Sequence, residues 1–298
     1  MRDLACAICD SDARRVVYES TIDLTGVQAE QIDPYGAHYR IVQCQRCGLV
    51  YASPIFDEAE VETLYTGSPH TNVADGEDVN IRRTMELYYQ AARPWLPGRQ
   101  RILDIGCDTG SLLDIARQDG FRKLYGIEPR PVSAAIARKV PGATISDAFY
   151  ERQEYPPEHF DLVSLVHVVD HLVHPTHLLD KAWQHLRPGG VILAVVHNSQ
   201  SVLARVLGER FPPYNLYHHY YFSPRTLRLL FQRSGFEVLE VRSTLNCYSV
   251  GTFAEKLPLL PPGARRALRG MLDAAGIGRR ALTVPLGNIG IVARRPLT

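Results

Sequence analysis

Four cysteines come in two short pairs, Cys6-x-x-Cys9 and Cys44-x-x-Cys47, with Gly48 closing the second turn. Each C-x-x-C turn sets two sulfurs on one side of a metal. Four thiolates suit tetrahedral zinc with no coordination position left open, so the expected site is structural rather than catalytic. A disulfide pair or a redox dithiol are the alternatives, but no secretory leader is visible and a redox C-x-x-C belongs at a helix start in a βαβ unit. A second group is the acidic, glycine-bearing run from Arg101 through Asp104, Gly106, Cys107 and Asp108 to Gly110, followed by Gly126, Ile127, Glu128 and Pro129. Gly106 and Gly110 let a turn approach a ligand without a Cβ in the way, and Glu128 can accept hydrogen bonds from both hydroxyls of a ribose. The third group is His167, His171, His197, His218 and His219, the side-chain type that exchanges protons near neutral pH.

These side chains need elements to hold them. Residues 101–110 read as a strand, a glycine turn and a helix start, and the next strand ends in Glu128, which is how a βαβ unit holds a nucleoside-bearing cofactor. The spacing is Gly-x-Asp-x-Gly, not the G-x-G-x-x-G of a dinucleotide fold, and an acidic loop repels a pyrophosphate. It suits S-adenosylmethionine, which carries an ammonium, a sulfonium and no phosphate. The apolar run Phe160 to Val169 predicts a central parallel strand, followed by a helix through about Arg187. Leu186-Arg-Pro-Gly-Gly190 predicts a break before a buried strand at 191–196. Ser223-Pro224 caps a helix over about 225–234, with strands expected at 236–242 and 288–295. Apolar spacing from Val79 to Trp95 predicts a helix that leads into the fold and covers the cofactor.

The ordered set Leu103-Asp-Ile-Gly-Cys-Asp-Thr-Gly110, Glu128, the 160–169 strand and the Leu186-Arg-Pro-Gly-Gly190 turn resembles the class I S-adenosylmethionine-dependent methyltransferases, from about residue 95 onward. The family's usual middle glycine is Asp108 here, so its carboxylate either turns aside or pairs with the cofactor ammonium; the other reading is a site that has lost its cofactor. The resemblance implies an α/β, Rossmann-like seven-stranded sheet with cofactor contacts at Asp104, Gly106, Cys107, Asp108, Gly110, Glu128, Pro129 and His167. It also places Asp147 against the adenine amino group. Cys47-Gly-Leu-Val-Tyr-Ala-Ser-Pro54 is similar to the zinc ribbon that precedes many bacterial members. Sugar C-methyltransferases share that arrangement but carry a further carboxy-terminal domain, for which this chain ends too soon. The ribbon shapes a wall of the substrate cleft or serves structure or oligomerisation.

The resulting organisation is a zinc-ribbon domain over 1–68 and a methyltransferase domain over 69–298, with a linker at Thr66-Gly-Ser-Pro69 and a helical insertion over about 251–282 near the Pro-rich Leu257 to Gly263. The 298 residues carry a net charge of +1, so no global field gathers nucleic acid or an anionic membrane. No apolar run approaches the ~20 residues needed to cross a bilayer, and a cytoplasmic location is expected. Arginines 265, 266, 269, 279, 280, 294 and 295 crowd the tail, as solvated faces or an anion site.

The expected activity is methyl transfer to a small molecule or glycan unit, such as a sugar nucleotide, a saccharide or a secondary metabolite, with a histidine as general base. His219, in the H-x-Y-F-S-like segment His219-Tyr-Tyr-Phe-Ser223, is the first choice, followed by His167 and His171. A loop core that merely buries these rings is the plain alternative. A second metal site at His167, His171 and His174 lacks a carboxylate partner set and is disfavoured. Nitrogen acceptors are disfavoured because no Asn/Asp-Pro-Pro-aromatic motif follows the 160–169 strand. The competing functions are a ribosomal RNA methyltransferase whose ribbon holds RNA, against which the near-neutral charge argues, and a non-enzymatic zinc-ribbon interaction protein.

Overall fold

In the computed structural model, residues 1–22, 37–67, 77–255 and 260–297 are described. Strands β1 (Arg14–Tyr18), β2 (Ile41–Cys44) and β3 (Val50–Ala52) pair antiparallel around the two cysteine turns. Helices α1 (Glu58–Gly67) and α2 (Asp78–Ala92) follow. The latter buries Tyr88, Tyr89 and Ala92 and ends in a 3-10 turn at Arg93–Trp95, close to the 79–95 helix read from the sequence. The linker expected at 66–69 begins inside the end of α1, and its residues 68 and 69 lie outside the described residues.

The main body runs β4 (Arg101–Ile105), α3 (Ser111–Gln118), β5 (Lys123–Ile127), α4 (Pro131–Ala137), β6 (Ala143–Ser146), β7 (Phe160–Val166), α5 (Pro175–His185), β8 (Leu186–His197), α6 (Val202–Leu207), β9 (Tyr220–Tyr221), α7 (Pro224–Arg233) and β10 (Glu237–Ser243). It closes with β11 (Asn246–Ser249), α8 (Val250–Glu255), α9 (Pro262–Ala274), β12 (Ala281–Val284) and β13 (Asn288–Arg294). Seven strands form one sheet in the order β10-β13-β8-β7-β4-β5-β6. Only β13 is antiparallel to its neighbours. Apolar residues on both faces of β7 are buried, Val163 and Leu165 in one apolar cluster and Leu162 in another, as a central parallel strand requires. Leu165 is fully buried, and Leu165→Ala there costs about 2–5 kcal/mol. Strand order reverses between β4 and β7, and the crevice beyond their carboxyl ends is the usual ligand position in such sheets.

Two boundaries differ from the sequence reading. The helix expected through Arg187 stops at His185, and Leu186-Arg-Pro-Gly-Gly190 is the start of β8 rather than a turn before it. The segment accommodates Pro188 by bulging: Phe160 pairs with Leu186 but Leu162 with Val191. A Cβ at Gly190 would lie 2.8 Å from the Arg187 carbonyl, so glycine is required there. Residues 251–282 include most of α8 and all of α9, and the antiparallel pair β11 and β12, which the sequence reading missed, flanks them. Residues 256–259 of the Pro-rich stretch lie outside the described residues.

The amino-terminal sheet is completed by the main body. Its order is β1-β2-β3-β9, with Tyr51 opposite Tyr220, and the Ala52 N–H donates to the His219 carbonyl at 2.8 Å. Arg233 of α7 reaches the Ile8 carbonyl and the Asp10 carboxylate. Tyr39, Leu49, Ile55 and Phe56 share one buried cluster with Leu165, Ile192 and Phe222. Among the described residues no helix is long and apolar enough to cross a membrane.

Candidate functional site

At the end of β4 the chain turns at Gly106, with φ +70° and space so tight that a Cβ would meet Val168 at 2.6 Å. Asp108 is also left-handed, at φ 45°, which for a side-chain-bearing residue costs roughly 1–2 kcal/mol. What holds it there is a set of polar contacts. Its N–H donates to Glu128 Oε2 at 3.0 Å, and its Oδ1 accepts from Ser133 Oγ at 2.7 Å and Arg130 Nη2 at 3.3 Å. The Asp108 carboxylate therefore turns aside onto α4.

Glu128 is fully buried at the tip of β5. Its Oε1 accepts from the Arg130 backbone N–H at 3.0 Å and from Arg130 Nε at 2.9 Å. The Arg130 guanidinium also lies 5.5 Å from the centre of the Tyr65 ring. Asp104, buried in the body of β4, accepts from Ser164 Oγ at 2.6 Å. Burial pushes its carboxyl up to about 7 against the Ser164 hydrogen bond, aided by the charges of Glu128 and Asp108.

A cavity of about 780 Å³ opens beyond these strand ends. Asp104, Gly106, Cys107 and Asp108 line one side, and His167, His171, His197 and His218 line it farther along. An adjoining cavity of about 460 Å³ shares Tyr65, Gly106, His167 and His171 and adds Ile127, Pro129 and Phe149. Asp147 lines neither and is exposed, paired with Arg138 at 2.9 Å. Gly110 starts α3 with φ +81°.

The histidines converge on Asp170, which has no exposed surface. His167 leaves β7 in a left-handed conformation at φ 53°, a strained geometry of the kind often found at functional sites. Its ring centre lies 4.7 Å from that of His197, that of His197 4.7 Å from His218, and that of His218 4.3 Å from His171. His197 Nδ1 lies 2.9 Å from Asp170 Oδ2. Burial, and secondarily the neighbouring His197, pushes His167 down to about 3, so its ring is neutral. Asp170 is held well below the usual carboxylate range: burial opposes this, but His197, His171 and His218 outweigh it.

The structure does not bring His219, the first expectation for the base, to either cavity. It is fully buried against Tyr39, its Nδ1 is 3.3 Å from the Leu172 carbonyl, and burial pushes it down to about 4. His174 lines the smaller cavity but stands apart from the Asp170 cluster. It precedes α5 and bonds Glu58 at 3.0 Å, so His167 and His171 both lie outside the helix. The residue that sequence reasoning missed is Asp170. Its one local signal was an acid next to His171 at the end of an apolar strand; Arg130, Ser133 and Asn215 had no signal.

The four amino-terminal sulfurs gather at one point, Cys6 to Cys47 at 3.3 Å and Cys9 to Cys44 at 3.5 Å, with all four within 4.8 Å of one another. These separations exceed the ~2.05 Å of a disulfide and approach the ~3.8 Å edge of a tetrahedron with ~2.3 Å zinc–sulfur bonds. None of the four lines either cavity.

Residues 78–241 match the model of a methyltransferase domain family. The ubiquinone biosynthesis O-methyltransferase of Yersinia pestis is 24% identical over 164 residues, covering 52% of this chain and 68% of that protein. Among solved structures, a putative methyltransferase of Bacillus halodurans superposes with TM-score 0.53 at 16% identity, over 72% of this chain and 99% of its own. A chain from the complex of the Haloferax volcanii Trm112 methyltransferase activator with a putative methyltransferase does so with TM-score 0.54 at 19% identity, over 75% and 95%.

Proposed function

This chain belongs to the S-adenosylmethionine-dependent methyltransferases, and we propose that it methylates a hydroxyl of a small molecule or glycan unit. The observation that carries this reading is a single cavity lined both by the Gly106 loop and by the histidines around Asp170. When bound, S-adenosylmethionine supplies a methyl on a cationic sulfur, open to in-line displacement. The loop fits such a group: Gly106 leaves no room for a Cβ and Asp104 lines the cavity with a buried carboxylate, while Glu128 lines neither cavity and lies buried beneath Arg130. Glu128 would hold the ribose once the Arg130 guanidinium moves off it, with Cys107, the Asp108 backbone, Gly110, Pro129 and His167 completing that side. Asp147 would have to leave Arg138 to reach an adenine.

A hydroxyl nucleophile must lose a proton, and His197 is placed to take it. Donation of its Nδ1–H to Asp170 fixes the tautomer with Nε2 free to accept. His171 and His218 line the same cavity and would orient the acceptor, while His219 supports the wall from behind. The four cysteines would hold a structural zinc. That zinc would brace β3 against β9, and so the segment bearing His218.

The test is transfer of labelled methyl from S-adenosylmethionine to a panel of phenols, sugar nucleotides and polyols, with His197→Gln as control. A hydroxyl acceptor whose turnover falls about 100-fold or more in the variant, with unchanged cofactor affinity, supports the reading. Methylation confined to amines or RNA, or unaffected by His197→Gln, overturns it.

A further inference from the structure

The Asp170 cluster poses a problem of lone pairs. Asn215 Oδ1 accepts from the Tyr217 N–H at 2.9 Å, so the atom facing His218 Nδ1, also at 2.9 Å, is an acceptor. His218 must therefore donate from Nδ1, which leaves a lone pair on Nε2 in the neutral ring. That Nε2 faces the Asp170 carboxylate at 3.9 Å. Two acceptors are thus turned toward one another at the edge of the cavity, an arrangement that a cation between them would relieve. Meanwhile Asp170 Oδ1 and His171 Nδ1 are buried with no hydrogen-bond partner. Ligand atoms of Asp170, His171 and His218 lie within 4.8 Å of one another.

We propose that Asp170, His171 and His218 bind a divalent first-row transition-metal cation, at a site distinct from the four thiols and open toward the cavity. Two imidazoles and a carboxylate are borderline ligands suited to zinc, cobalt, iron or manganese. Bonds of about 2.0–2.2 Å require only a small inward movement of the three side chains. The supporting contacts are those of a built site. Asn215 fixes the ring of His218, and His197 Nδ1 fixes Asp170 through Oδ2, leaving Oδ1 for the ion. Three protein ligands leave positions for an oxygen of the acceptor, so the metal would orient the hydroxyl and make it more acidic before His197 accepts the proton. The site accordingly selects acceptors with an oxygen free to coordinate. This role rests on the methyltransferase reading, but binding of the metal does not.

The experiment is a cobalt(II) titration of the full chain already holding one equivalent of zinc on its cysteines. A second equivalent binding at micromolar or tighter concentration is expected, with weak visible d–d bands and without the intense near-ultraviolet band of a thiolate–cobalt bond. His171→Ala and His218→Ala should each weaken it tenfold or more, and paramagnetically shifted imidazole resonances in the unsubstituted protein should report histidine ligands. Saturable binding absent up to 1 mM, a thiolate band alone, or a second site indifferent to both substitutions overturns the proposal. So does a cobalt-free His218 that titrates as an imidazolium, since a proton then supplies the missing cation. Methyl-transfer assays are separate: activity without a second metal would overturn the metal's role in orienting the acceptor and leave the proposed function standing.

Discussion

At the amino-terminal thiols, four potential ligands come from two short turns, and among the described residues no cavity residue is a cysteine of that group. Around Asp170, the side chains come from the end of β7, the end of β8 and the segment before β9, and they open onto the largest acid- and histidine-lined hollow described above. The first group closes on itself, away from either cavity. The second is built across the sheet's carboxyl edge and leaves positions free. A site whose ligands are exhausted by its own chain can only support structure, whereas one with unspent lone pairs can meet a ligand. The two are nonetheless linked, because β3 fixes β9 and the Asp170 carbonyl accepts from the His219 and Tyr220 N–H groups.

The sharpest way to break this comparison is to exchange the effects. Cys44→Ser should remove one equivalent of tightly held metal and lower the melting temperature by about 10 °C or more, since structural zinc contributes several kcal/mol to folding; metal analysis and calorimetry check this. If the melting temperature stays within a degree or two, the thiols are not a structural brace. Asp170→Asn should do the reverse, reducing turnover by about 10²–10⁴-fold while the melting temperature falls less than in Cys44→Ser. Full activity there would remove the buried acid from the chemistry.

Smaller effects belong to the loop after β4. Glu128→Gln should weaken S-adenosylmethionine by about 1.5–3 kcal/mol, the range for hydrogen bonds to a charged group, read by titration calorimetry. Asp104 adds a pH dependence. Its carboxyl is raised in the fold from 3.8 to about 7, so the folded chain keeps a proton that the unfolded chain has lost. Stability therefore falls as pH rises from about 4 to 7. A cationic ligand favours the ionised form, so its affinity should climb over pH 6 to 8, about tenfold for each unit by which it lowers that pKa. Asp104→Asn should flatten both profiles; profiles that persist would assign them elsewhere. Least of all, Asp108→Gly should change cofactor affinity by no more than about threefold, because relief of roughly 1–2 kcal/mol of backbone strain offsets the loss of the Ser133 and Arg130 contacts.

Legibility followed the distance along the chain between cooperating residues. The Cys6 and Cys44 pairs, the Gly106 turn and Glu128 were readable because each lies in a short segment whose spacing already specifies its geometry. The seven-stranded sheet was readable because apolar runs such as 160–166 and 191–196 are buried on both faces and show it in composition. Reading the histidines was harder. His219 fitted a segment pattern, but in the strand pairing with β3 its ring falls on the buried side against Tyr39, and its neighbour His218 meets the cavity instead. In an extended segment adjacent residues point to opposite faces, so a choice between neighbours depends on which face the partner strand covers.

What the sequence by itself determined, then, is the set of contiguous devices: two thiol turns, one glycine turn with its following acid, and the apolar strands that must be central. Only the tertiary structure decided that Asp170, rather than a fifth histidine, lies at the centre of the imidazoles, that Asp108 turns onto Ser133, and that the amino-terminal sheet borrows β9. The physical reason is the same in each case. Those arrangements depend on hydrogen bonds and packing between segments far apart along the chain, whose partners no local spacing encodes.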